Sequence, residues 1–380
     1  MELTNQFIHV KEFYTYREIR QQPDVWQKTF GLLVSRKDEI KVFIDKFQDQ
    51  GYSIVLTGAG TSAYIGDALE PALHNTRFRG ARALATTDIL TFPGFYFNSD
   101  SKVLLISFAR SGNSPESVGA VKAVEQTAGK VAHIFITCNA EGKLAQMKGD
   151  NILTILLPPE TNDLSLAMTN SYSTMFLSCA LIAHIDDIES QRGAIDTLAG
   201  CVRKLMDSYE EDIKATASKD FKRAVFLGSG TLKGVAEESR LKLQELTDGA
   251  VMCAFDSFLG FRHGPKAVVH SDCLVVYFLS PEPAAQRYEL DLVQQIKAGN
   301  RHHSSVLVCQ RQPGIDPSNW DLCIQTGLPD GFPGCYGGVA YVVVAQLLGF
   351  YKSLDCGLNP DTPSISGNIS RVVEGVTLYI

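Results

Sequence analysis

An apolar run that ends in a glycine-bracketed turn and then opens a helix occurs twice in this chain, about 170 positions apart. Ile54-Val55-Leu56-Thr57 leads into Gly58-Ala59-Gly60-Thr61, and Ala224-Val225-Phe226-Leu227 leads into Gly228-Ser229-Gly230-Thr231. That separation is the size of one domain, so the repeat indicates an internal duplication of a strand-turn-helix unit. Further apolar runs follow each copy: Val103 to Ile106, Ala132 to Ile136 and Ile152 to Leu156 in the first half, Leu274 to Leu279 and Ser304 to Val308 in the second. Continuous apolar strands separated by helical stretches suit a parallel sheet covered on both faces. The expected fold is therefore α/β, with two tandem doubly wound, flavodoxin-like parallel-sheet domains. The 380 residues exceed the ~250–300 at which single cores usually divide.

Around this duplication the sequence predicts a helical N-terminal extension packed on the outside of the first domain, with Trp26, Phe30, Leu33 and Val34, then Ile40, Phe43 and Phe47, at helical spacing. A charged helical segment from about Ser190 to Lys219 joins the halves, and the tail after Tyr351, with Pro360, Pro363 and Gly367, reads as mostly extended. A net charge of -7 argues against nucleic acid or an anionic membrane as the main partner. The apolar run from Val339 to Phe350 is short for a membrane span and is interrupted by Gln346. Nine cysteines stand singly, without C-x-x-C or zinc spacing, and the start lacks a signal-peptide pattern. The expectation is a cytoplasmic protein with reduced, mostly buried thiols.

The two halves differ in chemistry. In the first, Ile106-Ser107-Phe108-Ala109-Arg110-Ser111-Gly112-Asn113-Ser114-Pro115-Glu116 runs from a strand through hydroxyl, amide and glycine groups into a helix whose free N–H groups face the turn. Ser and Asn also serve as ordinary helix caps, so this turn alone leaves cap and phosphate cradle equally open. In the second half the strand ending at Ser280 meets Pro281-Glu282-Pro283, which lacks such groups. A phosphate pocket is thus expected in the first half. Gly58-Ala59-Gly60 lacks the third glycine of a dinucleotide fingerprint, and no P-loop occurs. The second half contributes Lys242 and Glu245, three apart on one helix face, and His263 in the rigid run Phe261-Arg262-His263-Gly264-Pro265. Standing alone, these read as a solvated ion pair and a turn histidine.

Taken together, Gly-x-Gly-Thr-Ser at 58–62, Arg-Ser-Gly-Asn-Ser-Pro-Glu at 110–116, Glu-Ser-Arg-Leu-Lys-Leu-Gln-Glu-Leu at 238–246 and His-Gly-Pro at 263–265 resemble the sugar isomerase (SIS) family of phosphosugar-binding proteins. The double module is similar to the isomerase half of glucosamine-6-phosphate synthase. The likeness is greatest to the AgaS group, galactosamine-6-phosphate deaminase/isomerases or tagatose-6-phosphate ketose/aldose isomerases, and it includes Asn162 to Ser171 and Leu358-Asn359-Pro360-Asp361.

The resemblance implies roles. Ser62, Ser111 and Ser114 match phosphate-binding hydroxyls, with Gly60, Thr61, Arg110, Asn113, Thr169 and Asn170 as further substrate contacts. Glu245 matches the carboxylate that shuttles a proton between C1 and C2, Lys242 a lysine one turn away, and His263 a ring-opening histidine supplied in the synthase by the neighbouring subunit. Arg371 falls where the synthase tail has a catalytic-site lysine. Departures are Ala109 for a serine, Met168-Thr169-Asn170 for a serine-threonine-lysine run, and two extra residues between Glu245 and His263. The glutamine-hydrolysing domain is absent, so deamination or isomerisation is expected rather than amino-sugar synthesis. The implied domains are 1–48 (helical extension), 49–195 (phosphate binding), 196–350 (linker helix and catalytic Glu/His) and 351–380 (a tail closing the site). The implied protein is a homodimer with shared sites acting on a phosphorylated amino sugar, without metal or organic cofactor. The alternatives are a tagatose-6-phosphate isomerase without deamination and a phosphosugar-sensing regulatory protein.

Overall fold

The computed structural model describes residues 9–299, 303–310, 314–373 and 375–379. Its first sheet contains β1 (Ser53–Thr57), β2 (Arg82–Ala83), β3 (Lys102–Ala109), β4 (Lys130–Thr137) and β5 (Ile152–Leu156), all parallel, in the order β2-β1-β3-β4-β5. The second contains β6 (Arg223–Leu227), β7 (Met252–Asp256), β8 (Cys273–Phe278), β9 (Ser304–Cys309) and β10 (Leu322–Gln325), also parallel. Read from β7, its order β7-β6-β8-β9-β10 is the order of the first sheet. The register repeats as well: Leu56 pairs with Ile106 in one sheet and Phe226 with Val276 in the other. In such a topology the chain leaves the sheet in opposite directions after adjacent strands, and ligands sit in the crevice outside the carboxyl ends of those strands. Here those strands are β1 and β3, and β6 and β8.

The N-terminal helices differ from expectation. The Tyr14–Ser35 helix lies against the Asn170–Ile182, Arg192–Ala217 and Gly334–Asp355 helices, and buries Trp26 and Phe30. It belongs to the shared core instead of the outside of the first half, because its apolar stripe carries large aromatic side chains that an outer helix would leave wet. The apolar run near the C-terminus extends into a 22-residue helix, Gly334–Asp355, long and apolar enough to cross a membrane. Protein covers 94% of its apolar window, so it is the central core helix. Because this helix continues to Asp355, the extended tail begins later than the sequence suggests. Six of the nine thiols, Cys138, Cys179, Cys253, Cys273, Cys309 and Cys335, are buried, and none is in a disulfide.

The Thr61–Leu69 and Thr231–Leu246 helices, the first helix of each duplicate, pack antiparallel across the boundary between the sheets. Gly234 meets Ala68 so closely that a Cβ there would stand 2.4 Å from the Ala68 nitrogen. At the other end Lys242 reaches Thr61. This pairing carries residues of the second half to the crevice of the first.

Candidate active site

The turn after β1 exists because its glycines tolerate what other residues do not. Gly60 has φ +54°, and Gly230, its duplicate, φ +56°. A Cβ on Gly58 would stand 2.5 Å from the Ser62 carbonyl carbon, so only glycine lets the first turn of the Thr61 helix close onto the strand end. Ser62 is buried in that turn. Beside it, β3 ends at Ala109 and Gly112 takes φ +65°, turning the chain back against Gly142. Ser114 then caps the Pro115–Thr127 helix by accepting from the Ser117 amide at 3.3 Å and donating to the Ser117 hydroxyl at 2.7 Å. Ser111 and Asn113 lie half-buried in the same turn, but the Asn113 side-chain Oδ1 accepts from the Lys143 amide at 3.0 Å. Two helix N-termini thus converge on one crevice lined with hydroxyls, a ready anion site.

The catalytic candidates enter from the second half. The Lys242 ammonium is fully buried, donating to the Thr61 hydroxyl at 3.1 Å and to Glu245. A second carboxylate, Glu238, one helical turn before Lys242, faces it at 3.3 Å and is also fully buried. Sequence reasoning missed Glu238, although its i,i+4 spacing to Lys242 puts both on one face. The surface ion pair expected of isolated charges is therefore excluded. Burial pushes the Glu238 carboxyl up to about 8, against the pull of Lys242, while the two carboxylates hold the Lys242 ammonium above its ordinary value despite burial. One cation needs one anion, so the more deeply buried acid keeps its proton at neutral pH. Glu245, with 15% of its side chain exposed, is the less buried carboxylate of the pair.

Other expected site residues are placed differently. The Arg110 guanidinium does not face the serine turn; it is buried and donates to the carbonyls of Ser165 (3.3 Å), Leu166 (3.1 Å) and Arg371. The apolar strand end gives it no water, and three backbone acceptors satisfy it instead. The Arg371 guanidinium binds the Asp163 carbonyl at 2.8 Å and the Asn162 side chain at 2.8 Å. Asn170 is buried, its amide spent on the Glu160 carbonyl (2.9 Å) and the Thr174 hydroxyl (3.0 Å). Thr169 is also buried, its hydroxyl without a partner among the described residues. His263 sits exposed between the Phe258–Phe261 helix and the Pro265–Val268 turn.

The corresponding crevice of the second sheet holds a cavity of about 510 Å³ lined by Ser229, Thr231, Ser280, Gln310 and Tyr341. The strand-end amide of Ser280 is already taken, at 2.9 Å, by the buried carboxylate of Glu289. A carboxylate in that place disfavours a phosphate there. This cavity is not lined by Lys242 or Glu245, and the unequal halves seen in sequence have a structural counterpart.

Residues 46–185 match the model of the SIS domain. The D-galactosamine-6-phosphate deaminase AgaS of Escherichia coli is 37% identical over 371 residues, 96% of this chain and 95% of that protein. The crystal structure of tagatose-6-phosphate ketose/aldose isomerase from Escherichia coli superposes with a TM-score of 0.88 at 34% identity, covering 97% of each chain. The C-terminal domain of glucosamine-fructose-6-phosphate aminotransferase from Francisella tularensis shares the fold, with a TM-score of 0.78 at 16% identity over 92% of this chain and 98% of that one. With its paired sheets, its hydroxyl-lined crevice and this full-length similarity, the chain belongs to the AgaS family of SIS domain proteins.

Proposed function

We propose that the protein is a galactosamine-6-phosphate deaminase/isomerase, forming tagatose-6-phosphate and ammonia. The observation that carries this reading is the buried Glu238–Lys242–Glu245 set held against Thr61, at the edge of a crevice built for an anion. A sensor of phosphosugars needs the crevice but not a desolvated acid-base set, which costs several kcal/mol per ion to bury. Full-length similarity to AgaS deaminases supports the amino sugar as substrate.

In the proposed sequence, the 6-phosphate is bound by the Ser62 and Ser111 to Ser114 turns, which fixes the sugar's far end at C1 and C2. Ring opening moves the anomeric hydroxyl proton to the ring oxygen. His263 is suited to that transfer, and its exposure fits presentation to the site of a second copy in a homodimer. Glu245 then removes the C2 proton from the open-chain aldehyde, giving an enolamine whose C1 oxygen Lys242 stabilises. Return of the proton to C1 leaves an imine at C2. Water adds to that imine, the C–N bond breaks, and ammonia leaves with the ketose phosphate.

Glu245→Gln should abolish ammonia release from galactosamine-6-phosphate while leaving its binding, read by calorimetry, within about twofold; residual turnover with lost binding overturns the role of Glu245. Replacing Ser111 and Ser114 together by Ala should raise KM for the phosphosugar, and an unchanged KM would place the phosphate elsewhere. Turnover of tagatose-6-phosphate without ammonia release from either amino-sugar epimer would favour the isomerase reading.

A further inference from the structure

The tail is fastened at one end and clasped at another. The Asp361 carboxylate accepts from the amides of Tyr14 (2.9 Å) and Thr15 (2.8 Å), and the Asp361 carbonyl accepts from Leu166 at 3.0 Å. Beyond this anchor the chain passes Asp248, three residues after Glu245, where the Ile365 amide donates at 3.2 Å. It then reaches Arg371, and Leu378 ends against Gly119 in the helix that Ser114 caps. The tail thus runs from the end of the catalytic helix, past the phosphate turn, to the helix behind that turn.

Little apolar packing holds the middle of this path. Ile365 and Val373 are 81% and 51% exposed, and a cavity of about 250 Å³ lies between the tail and Leu164, Leu166 and Asp361. What holds it is a reciprocal clasp of two arginines. Arg110, next to Ser111, donates to the Arg371 carbonyl, and Arg371 donates back to the Asp163 carbonyl and the Asn162 side chain. The same Arg110 grips Ser165 and Leu166, whose loop leads to Thr169. Burial and the neighbouring Arg371 charge act against the Arg110 cation, and the buried Asp163 carboxyl compensates it.

We infer that Arg110 is a positioning residue that latches the tail to the phosphate turn, so that filling the turn with phosphate and closing the tail over the crevice are one coupled event. This rests on the phosphosugar reading proposed above. Any shift of Ser111 on binding an anion moves the adjoining Arg110, and through three backbone acceptors moves the loop and the tail together. A lysine can replace it only in part, because one ammonium lacks the fork that reaches three carbonyls at once.

The test is amide hydrogen exchange of residues 364–373 in the full-length protein, with and without inorganic phosphate, alongside steady-state kinetics. Wild type should show slower exchange there when phosphate is added. Arg110→Met should lose that response and raise KM for the phosphosugar about tenfold, with kcat within about twofold; Arg110→Lys should fall between. Arg371→Met, which removes the other half of the clasp, should also lose the response and carries the test if Arg110→Met does not fold. A phosphate response retained in both variants, or absent from wild type, overturns the latch. A raised KM in Arg110→Met with the response intact does so too, because Arg110 would then act on substrate directly. If wild type releases no ammonia from any phosphosugar, the proposed activity fails, while the exchange experiment still decides the latch.

Discussion

At the scale of residues, the site turns on how one buried ammonium is balanced. Lys242 has two carboxylates within reach and charge for one, and the two differ in exposure: Glu238 is fully buried, whereas 15% of the Glu245 side chain is exposed. Because Glu238 holds its proton up to about pH 8, its ionisation should add a limb near that pH to the profile of kcat/KM. Glu238→Gln, which mimics the protonated acid, should remove that limb and preserve activity at pH 7 within about tenfold. A limb that persists unchanged in the variant would assign it to another group. Glu238 was within reach of sequence reasoning, since a Glu-x-x-x-Lys-x-x-Glu run presents all three on one face. Arg110 was not: nothing in the order of residues shows that its side chain turns away from the serines beside it.

At the scale of elements, the antiparallel Thr61–Leu69 and Thr231–Leu246 helices are the device that builds the site. Their close approach depends on Gly234, where any side chain meets the Ala68 backbone. Gly234→Val should force the helices apart, destabilise the fold by about 1–3 kcal/mol and lower kcat by withdrawing Lys242 from Thr61. Denaturant unfolding and steady-state kinetics check the two effects; a variant as stable and active as wild type would show that the contact is not needed. The strands were legible because each is a continuous apolar run, while β2, β7 and β10 were missed. β2 has two residues, and β7 and β10 are edge strands, half-exposed, with mixed sequences such as Met252-Cys253-Ala254-Phe255-Asp256.

At the scale of the whole molecule, one apolar core runs from Tyr16 to Tyr351 through both halves, so the duplicates share their interior. That interior also encloses acids. Glu18, buried in the first helix and accepting from the Leu164 and Ser165 amides, is pushed up to about 7 by burial and by neighbouring Asp163, and Glu238 to about 8. Their ordinary value is 4.5, so between that pH and about 7–8 the folded chain keeps protons that the unfolded chain has released. Stability should therefore fall as pH rises from about 4.5 to 8, and level off above. Glu18→Gln should flatten this slope, as read by thermal unfolding at about pH 5, 6.5 and 8; an identical slope in the variant would remove Glu18 from the account.

The duplication, the parallel sheets and the turn able to receive a phosphate follow from the chain alone, because apolar periodicity and glycine-hydroxyl turns are local properties that neighbours in sequence impose on one another. The nature of the proposed catalytic set does not. Lys242 and Glu245 look like surface charges until the Gly234–Ala68 contact brings their helix to Thr61 and removes water from around them. Only packing between the two halves decides which ions are desolvated, which acid keeps a proton, and that the Arg110 guanidinium meets the tail at the Arg371 carbonyl, because desolvation and charge pairing depend on groups distant in sequence and adjacent in space.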